Sequence, residues 1–147
     1  FAPCTAEAVI EVLKFYRIPI EGKRAVIIGR SMVIGRPLSM LLLKENATVT
    51  ICHTRTREIQ TVCREAEILV AAAGKARMVD ETYVSDGAVL IDVGINADEN
   101  GALCGDVDQP SMEARRIALT PVPGGLGAVT TAVLAKHLVQ AALGVLP

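Results

Sequence analysis

The stretch that decides the fold runs from residue 24 to residue 57 and reads RAVIIGRSMVIGRPLSMLLLKENATVTICHTRTR. Its apolar, β-branched run at 25–28 has the composition of a strand buried on both faces. A glycine-containing loop then leads to Pro37, a residue that suits the first turn of a helix. After a leucine-rich helical segment, a second β-branched run follows at 48–52. This order predicts a βαβ unit, and the N-terminus of its helix is suited to binding phosphate.

The glycines of this loop do not follow the common dinucleotide-binding spacing. That fingerprint is G-x-G-x-x-G, whereas Gly29 and Gly35 are six positions apart with no glycine between them. The longer loop can still present backbone N–H groups, and Arg30 and Arg36 add positive charge beside them. Two interpretations remain open here: a phosphate-binding loop, or a strand-to-helix turn that needs glycine for its backbone conformation.

The end of the second predicted strand bears on the choice of cofactor. NAD-binding units usually place an Asp or Glu about 20 residues beyond the glycine loop, where it binds the ribose 2′-hydroxyl. Here the segment 53–57 reads HTRTR, and Glu58 is the first carboxylate. Hydroxyl and guanidinium groups attract a 2′-phosphate, which a carboxylate would repel. The sequence therefore favours NADP over NAD, the alternative being a solvated basic surface loop.

Composition limits the classes of protein to consider. The chain has 147 residues, enough for one domain, and 51% hydrophobic with only 3% aromatic residues is typical of aliphatic α/β proteins. A net charge of -1 argues against a nucleic-acid-binding surface. No uncharged apolar run of about 18 residues occurs, so no membrane span is expected.

Cysteine usage and the chain start add two expectations. The four cysteines are far apart without a C-x-x-C pair, and there are only two histidines, so no metal site is expected. Reduced, mostly buried thiols in a cytoplasmic protein are the prediction. The chain begins Phe-Ala-Pro, without an initiator Met or a signal segment, which suggests a piece of a longer polypeptide.

The alternation of elements predicts the fold class. Short apolar strands are expected at 25–28, 48–52, 68–72, 89–93 and 117–119. Helices are expected at 6–17, 38–45, 59–66 and 128–143. The pattern predicts an α/β fold with a doubly wound, mostly parallel, Rossmann-like sheet and helices on both faces. Thr5 is the expected cap of the first helix, residues 97–105 an exposed hairpin or loop, and Asp106 and Asp108 a turn or cap.

In such a sheet, ligands bind beyond the carboxyl ends of the strands. The loops at those ends are 29–36, 53–57, 73–75, 94–96 and 120–127. The last one reads TPVPGGLG, and its prolines and glycines before a helix indicate either a stiff connector or a loop that lines a ligand cleft. One cleft accounts for all five loops.

Five motifs in order carry a resemblance to a known family. They are GRSMVIGRP at 29–37, ATVTICH at 47–53, IDVGIN at 91–96, GDVD at 105–108 and TPVPGG at 120–125. Together they resemble the bifunctional methylenetetrahydrofolate dehydrogenase/methenyltetrahydrofolate cyclohydrolase family, from Pro3 to the last helix. The resemblance is to the C-terminal NAD(P)-binding domain, so residues 1–147 are expected to form that domain. Residues 1–22 would be its N-terminal helix and the link to an upstream catalytic domain.

The resemblance implies an activity and a set of site residues. Members oxidise 5,10-methylenetetrahydrofolate by hydride transfer to NADP and hydrolyse the methenyl product to 10-formyltetrahydrofolate, within one-carbon metabolism and purine biosynthesis. The implied cofactor-binding residues are Gly29, Arg30, Ser31, Ile34, Gly35, His53, Thr54, Arg55, Gly74, Ile95 and Thr130. Among them, Arg30 and Thr54 would lie near the 2′-phosphate and Ile95 near the nicotinamide. The folate cleft would be bordered by Pro123, Gly124 and Gly125.

Two departures from the family pattern affect what this chain can do. The family's Gly-Pro-Met-Thr is GAVT here, at 127–130. The family's catalytic Tyr-x-x-x-Lys lies in an N-terminal domain, and neither Tyr16 nor Tyr83 is followed by Lys at the fourth position, so no catalytic residue is expected in this chain. The folate substrate would be shared with that missing domain, and the family typically forms homodimers. The alternatives are the cofactor domain of another NADP-dependent dehydrogenase and a non-catalytic nucleotide-binding module.

Overall fold

Residues 1–145 are described by the computed structural model, so residues 146 and 147 of the predicted domain lie outside the described part. Its strands are Arg24–Ile28 (β1), Thr48–Cys52 (β2), Ile68–Ala71 (β3), Val89–Asp92 (β4), Asn96–Ala97 (β5), Leu103–Cys104 (β6) and Ala118–Leu119 (β7). Its α-helices are Cys4–Phe15 (α1), Gly35–Lys44 (α2), Ile59–Arg64 (α3) and Leu126–Ala142 (α4). Short 3-10 helices lie at Glu81–Tyr83 and Gln109–Met112.

Five parallel strands form the central sheet in the order β2-β1-β3-β4-β7. Because the chain goes outward from β1 to β2 and then returns past β1 to β3, the strand order reverses at β1, as in a doubly wound fold. Helices cover both faces of the sheet, so the predicted Rossmann-like α/β fold is confirmed. The antiparallel pair β5-β6 is the hairpin expected at 97–105.

Strand β1 joins two hydrophobic cores. Ala25 and Ile27 pack in the core formed with α1, α2 and α4, whereas Val26 and Ile28 pack in the core on the opposite face, which includes residues of α3. All four side chains are 3% exposed or less. A strand covered on both faces needs a continuous apolar run, which is the pattern that predicted this strand from the sequence.

Helices α1 and α4 lie against each other on one face of the sheet, where Leu13 and Val133 are buried in the shared core. The start of α1 differs from the prediction. Pro3 takes the N-cap position, and the backbone N–H of Glu7 donates to its carbonyl oxygen at 3.0 Å. The prediction that Thr5 caps this helix is therefore wrong, because the helix already begins at the residue before it.

Helix α4 begins two residues before the predicted start, at Leu126 instead of residue 128. The N-cap residue is Gly125, and a Cβ on it would overlap the carbonyl oxygen of Pro121. Glycine permits this close approach of the backbone to itself, so the chain turns early. The turn places Leu126, which is 4% exposed, in the core at the first position of the helix.

Thiol burial and helix hydropathy bear on two further expectations. Three of the cysteines are buried and Cys4 is half-buried, which agrees with the prediction of mostly buried thiols. Within residues 1–145, none of the helices is both long enough and apolar enough to cross a membrane.

Candidate cofactor-binding site

The carboxyl ends of four adjacent strands lie level with one another. In the parallel register, Ile28 of β1 is opposite both Cys52 of β2 and Ala71 of β3. Ala71 is in turn opposite Asp92 of β4. The loops after these strands therefore start along one edge of the sheet. This edge carries the predicted site residues of the first four loops.

Two glycines let the loop after β1 fold tightly. Gly29 has a φ of +126°, and a Cβ on it would overlap the carbonyl oxygen of Ala72, just beyond β3. A Cβ on Gly35 would overlap the carbonyl oxygen of Gly29. Both glycines are thus required by close backbone contact. The spacing of six follows, because the loop leaves β1 and returns to its own start before α2 begins.

The start of α2 is organised by Ser31. Its Oγ accepts a hydrogen bond from the N–H of Ile34 at 3.0 Å, and its carbonyl oxygen accepts one from the N–H of Arg36 at 3.0 Å. In the described chain, the first turn of α2 holds no acidic residue and receives no side-chain cap. Arg30 and Arg36 are both exposed beside it. A positive helix end with neighbouring guanidinium groups favours an anion such as phosphate.

The loop after β2 is a turn held by His53. Its backbone N–H donates to Oγ1 of Thr56 at 2.8 Å, and its Nδ1 accepts from the N–H of Arg55 at 3.1 Å. The side chains of Thr54 and Arg55 are exposed. His53 therefore shapes the loop, whereas Thr54 and Arg55 present the groups that can bind a phosphate.

Two buried thiols support this loop from below, since Cys52 and Cys63 are at most 1% exposed. A hydrogen bond with Cys63 lowers the pKa of the Cys52 thiol to about 7 against the opposing effect of burial, and a hydrogen bond with Thr56 also lowers it. The bond with Cys52 and burial together raise the pKa of Cys63. The two thiols join the end of β2 to α3. Thr56 in turn joins Cys52 to the turn at residues 53–56.

A cavity of about 280 Å³ lies between the loop after β4 and the loop before α4. Its lining includes Ala128 and five predicted site residues: Ile95, Pro123, Gly124, Gly125 and Thr130. The Ile95 side chain is 75% exposed, a large fraction for an aliphatic group. Thr130 donates from Oγ1 to the carbonyl oxygen of Leu126 at 3.2 Å, within its own helix. The residue expected near the nicotinamide thus shares one cavity with the expected border of the folate cleft.

The remaining predicted residue, Gly74, lies in an exposed turn after β3 with a φ of +66°. Its N–H donates to Oδ2 of Asp106 at 2.9 Å, across 32 positions of sequence. The prediction of a local turn or cap role for Asp106 is therefore wrong, because its carboxylate binds a different loop. Asp108 does take the N-cap position of the second 3-10 helix, but it is its carbonyl oxygen that accepts from Ser111 Oγ, at 2.7 Å.

Asp92 is a buried acid at the edge of the site that the sequence analysis did not identify as a site residue. It ends β4 and is 1% exposed. Burial raises the pKa of its carboxyl above the ordinary range and the carboxylate of Asp106 adds to the rise, against three backbone N–H hydrogen bonds that lower it. The sequence did contain a signal, because a single acid at the end of the apolar run 89–93 is unfavourable unless its oxygens are hydrogen-bonded.

Comparison with known proteins now identifies the family. A family profile described as "Tetrahydrofolate dehydrogenase/cyclohydrolase, NAD(P)-binding domain" matches residues 3–145. The chain belongs to this family. The match confirms the resemblance carried by the five motifs and the expectation of an NAD(P) cofactor, and it counts against a dehydrogenase from another family.

Relatives of this NAD(P)-binding domain are named as bifunctional enzymes. The chain is 62% identical over 143 residues to the bifunctional protein FolD of Carboxydothermus hydrogenoformans, covering 96% of this chain and 50% of the relative. The FolD methylenetetrahydrofolate dehydrogenase/cyclohydrolase structure from Campylobacter jejuni is 41% identical, with a TM-score of 0.95, and covers 99% of this chain and 52% of that one. The chain therefore spans about half the length of the relatives it matches.

One structural relative was solved with a cofactor. The FolD structure from Trypanosoma brucei, complexed with NADP cofactor and inhibitor, is 41% identical with a TM-score of 0.83, and covers 92% of this chain and 48% of that one. The glycine-lined backbone cradle after β1 and the exposed cationic and hydroxyl groups after β1 and β2 suit a phosphorylated dinucleotide. Which of the predicted residues contact it stays a prediction.

Proposed function

We propose that this chain is the NADP-binding part of an enzyme that oxidises 5,10-methylenetetrahydrofolate and then hydrolyses the methenyl product to 10-formyltetrahydrofolate. When NADP is bound, its nicotinamide supplies the hydride acceptor. The chain's own contribution is to bind the cofactor along the carboxyl edge of the sheet and to orient it towards the substrate. The family match and the FolD relatives support this proposal.

The observation that carries the preference for NADP is the chemistry of the exposed rim above β1 and β2. Arg30, Thr54 and Arg55 are all exposed there. In NAD-specific units the residue at the end of the second strand is usually acidic, and its carboxylate would repel the 2′-phosphate. A guanidinium bound to a phosphate makes charge-assisted hydrogen bonds, which are stronger than neutral ones. The rim therefore favours the phosphorylated cofactor.

The second half of the site is the cavity beside Ile95. Its largely apolar wall suits the flat nicotinamide ring of the cofactor, and the backbone at 123–125 would border the folate. The proton-handling Tyr-x-x-x-Lys of the family would come from an upstream domain, so the 147-residue chain alone should be inactive. The proposal includes a cytoplasmic homodimer, as the family resemblance implies.

Titration of the chain with NADPH and NADH, followed by cofactor fluorescence, tests the proposal. We expect tighter binding of NADPH, because only NADPH carries the 2′-phosphate. In the variant Arg30→Ala/Arg55→Ala, NADPH affinity should fall about a hundredfold or more, since two charge-assisted hydrogen bonds are lost and each is worth about 1.5–3 kcal/mol. NADH affinity should change little.

Arg116→Ala is the matched control for each single variant, Arg30→Ala and Arg55→Ala, because it removes one positive charge from an exposed position before β7, at the opposite edge of the sheet. Equal loss of NADPH affinity in this control, or an unchanged NADPH:NADH ratio in the double variant, would contradict the assignment. Fusing the chain to the upstream half of the Carboxydothermus relative tests the catalytic part. Oxidation of methylenetetrahydrofolate by the fusion supports the enzyme, and binding without turnover favours a non-catalytic nucleotide-binding module.

A further inference from the structure

Two buried carboxylates lie beneath the loops at the cofactor edge. Asp92 is 1% exposed and Asp106 is fully buried. Their loops meet there because the backbone N–H of Asp106 donates to Oδ1 of Asp92 at 3.0 Å. Across residues 1–145, no Lys, Arg or His forms an ion pair with either of them. Both acids are instead satisfied by N–H donors, so their hydrogen bonds show what they hold in place.

Asp92 holds its own loop to the loop after β6. Its Oδ1 accepts from the N–H of Gly94 at 2.9 Å as well as from Asp106, and its Oδ2 accepts from the N–H of Val107 at 3.0 Å. The backbone N–H of Asp92 donates to Oγ1 of Thr120, at the start of the loop that borders the 280 Å³ cavity. Asp92 thereby fixes the position from which the carboxylate of Asp106 extends.

Asp106 connects two loops that carry predicted cofactor residues. Its Oδ2 accepts from the N–H of Gly74 at 2.9 Å. Its Oδ1 accepts from the N–H of Lys75 at 2.9 Å and from Nδ2 of Asn96 at 2.9 Å. Gly74 is itself a predicted cofactor residue, and Asn96 follows Ile95 directly. One carboxylate therefore sets the distance between the loop after β3 and the loop after β4.

Two glycines leave space for these carboxylates because they have no side chain. A Cβ on Gly94 would overlap the backbone N and the carboxylate of Asp106. A Cβ on Gly105 would overlap the carboxylate of Asp92. The backbone thus closes around both acids without room for a larger group. Such packing restricts the loops to one arrangement as long as all the acceptor oxygens are present.

We infer that Asp106 is a positioning residue for the cofactor, holding the loops of Gly74 and Ile95 in the arrangement that binds the nicotinamide side of the dinucleotide. This inference rests on the proposed function. A carboxylate is needed because an amide of the same shape has one oxygen and one NH₂ group. In Asp106→Asn, the NH₂ group would face either the N–H of Gly74 or the two donors from Lys75 and Asn96.

The test compares two ligands on the full chain by titration. NADPH occupies the whole site, whereas adenosine 2′,5′-bisphosphate carries the phosphorylated half that the loops after β1 and β2 would bind. In Asp106→Asn we expect NADPH affinity to fall about tenfold, because at least one donor to the buried side chain would face an NH₂ group instead of an acceptor oxygen. Affinity for the bisphosphate should stay within the error of the titration. A general loosening of the fold would weaken both ligands together.

Asp108→Asn is the matched control, since it makes the same change two positions along and, within residues 1–145, only the backbone of Asp108 accepts a hydrogen bond. It should bind both ligands like the unchanged chain. Asn96→Ala is the milder second variant, used where Asp106→Asn fails to fold. It removes only the side-chain bond to Asp106, and it should weaken NADPH selectively.

The outcomes separate this inference from the proposed function. If the unchanged chain binds neither NADPH nor the bisphosphate, the proposed function fails. If it binds both, and Asp106→Asn and Asn96→Ala bind NADPH as tightly as Asp108→Asn does, the positioning role alone is overturned. Equal weakening of both ligands in Asn96→Ala would also overturn it, because that result indicates a structural effect on the whole edge.

Discussion

Gly29 offers the sharpest test of how the cofactor loop is built, through the substitution Gly29→Ala. A φ of +126° lies outside the regions that residues with a Cβ adopt readily, and such strain costs about 1–3 kcal/mol. The new Cβ would also overlap the carbonyl oxygen of Ala72, and overpacking of this kind costs about 1–3 kcal/mol more. We therefore expect the free energy of unfolding to fall by about 4 kcal/mol, a large part of the roughly 5–15 kcal/mol typical of a domain.

Two other glycines separate these contributions. Gly87 has a φ of +87°, and in the described chain no atom lies within 4 Å of a Cβ placed on it, so Gly87→Ala carries the conformational strain alone. Its expected cost is about 1–2 kcal/mol. Gly127 lies in the first turn of α4 with a similarly open Cβ position among residues 1–145, and its φ is not positive. Gly127→Ala should be neutral or stabilise by up to about 1 kcal/mol, because alanine favours helix.

Urea unfolding of the three variants measures these differences, and NADPH titration under native conditions measures their effect on binding. Gly29→Ala should lose NADPH affinity in proportion and Gly87→Ala should not, because only the Cβ at residue 29 displaces the turn before α2. Gly127 lines the 280 Å³ cavity, so its variant serves the comparison of stability alone. The reasoning would be refuted if Gly29→Ala destabilised the chain no more than Gly87→Ala did. It would also be refuted if the Gly29 variant folded less stably but bound NADPH unchanged.

Two groups with shifted pKa values give the remaining predictions. Burial alone would raise the pKa of Glu7, but hydrogen bonds from Lys136 and His137 outweigh it and lower the pKa. The stability that Glu7 contributes is thus present above about pH 4.5 and is lost as the pH falls. In urea unfolding, the free energy of unfolding should therefore decrease less on acidification in Glu7→Gln than in the unchanged chain. Equal decreases in the two proteins would contradict this prediction. Cys63→Ala should raise the pKa of Cys52 above about 7, because the hydrogen bond from Cys63 is lost. A pH titration followed by thiolate absorbance measures this pKa. An unchanged titration curve would contradict a hydrogen bond between the two thiols.

Much of the sheet could be predicted because its strands are buried on both faces. The run at 25–28 has no polar residue to place towards solvent, so burial on both sides was the consistent interpretation. The loops could then be assigned to one edge, since parallel strands end together. Helix starts were harder to predict, because they depend on backbone contacts such as that between Gly125 and Pro121, which no local pattern shows.

The support of the site could not be predicted for a different reason. Asp106 binds the N–H of Gly74, 32 positions earlier, and is itself held by Asp92, 14 positions earlier. In the sequence, Asp106 and Asp108 form an ordinary polar pair that is typical of a turn. Their different roles arise only when β3 and β4 become neighbours, which the order of strands decides. Residue type identified the groups that can bind phosphate, but not the groups that hold the loops.

The distribution of charge along the edge gives the proposed cofactor an orientation. Exposed cations, Arg30 and Arg55, lie above β1 and β2, whereas two buried carboxylates that accept from N–H donors lie beneath the loops after β3 and β4. If NADP bound with its phosphates over β3 and β4, those phosphates would approach buried negative charge. The guanidinium groups of Arg30 and Arg55 would then have no phosphate to bind. The reverse placement satisfies both ends, since it leaves the cavity beside Ile95 to the nicotinamide. Charge-reversing Arg30→Glu should therefore weaken adenosine 2′,5′-bisphosphate and NADPH alike, in contrast to Asp106→Asn, which should weaken NADPH alone.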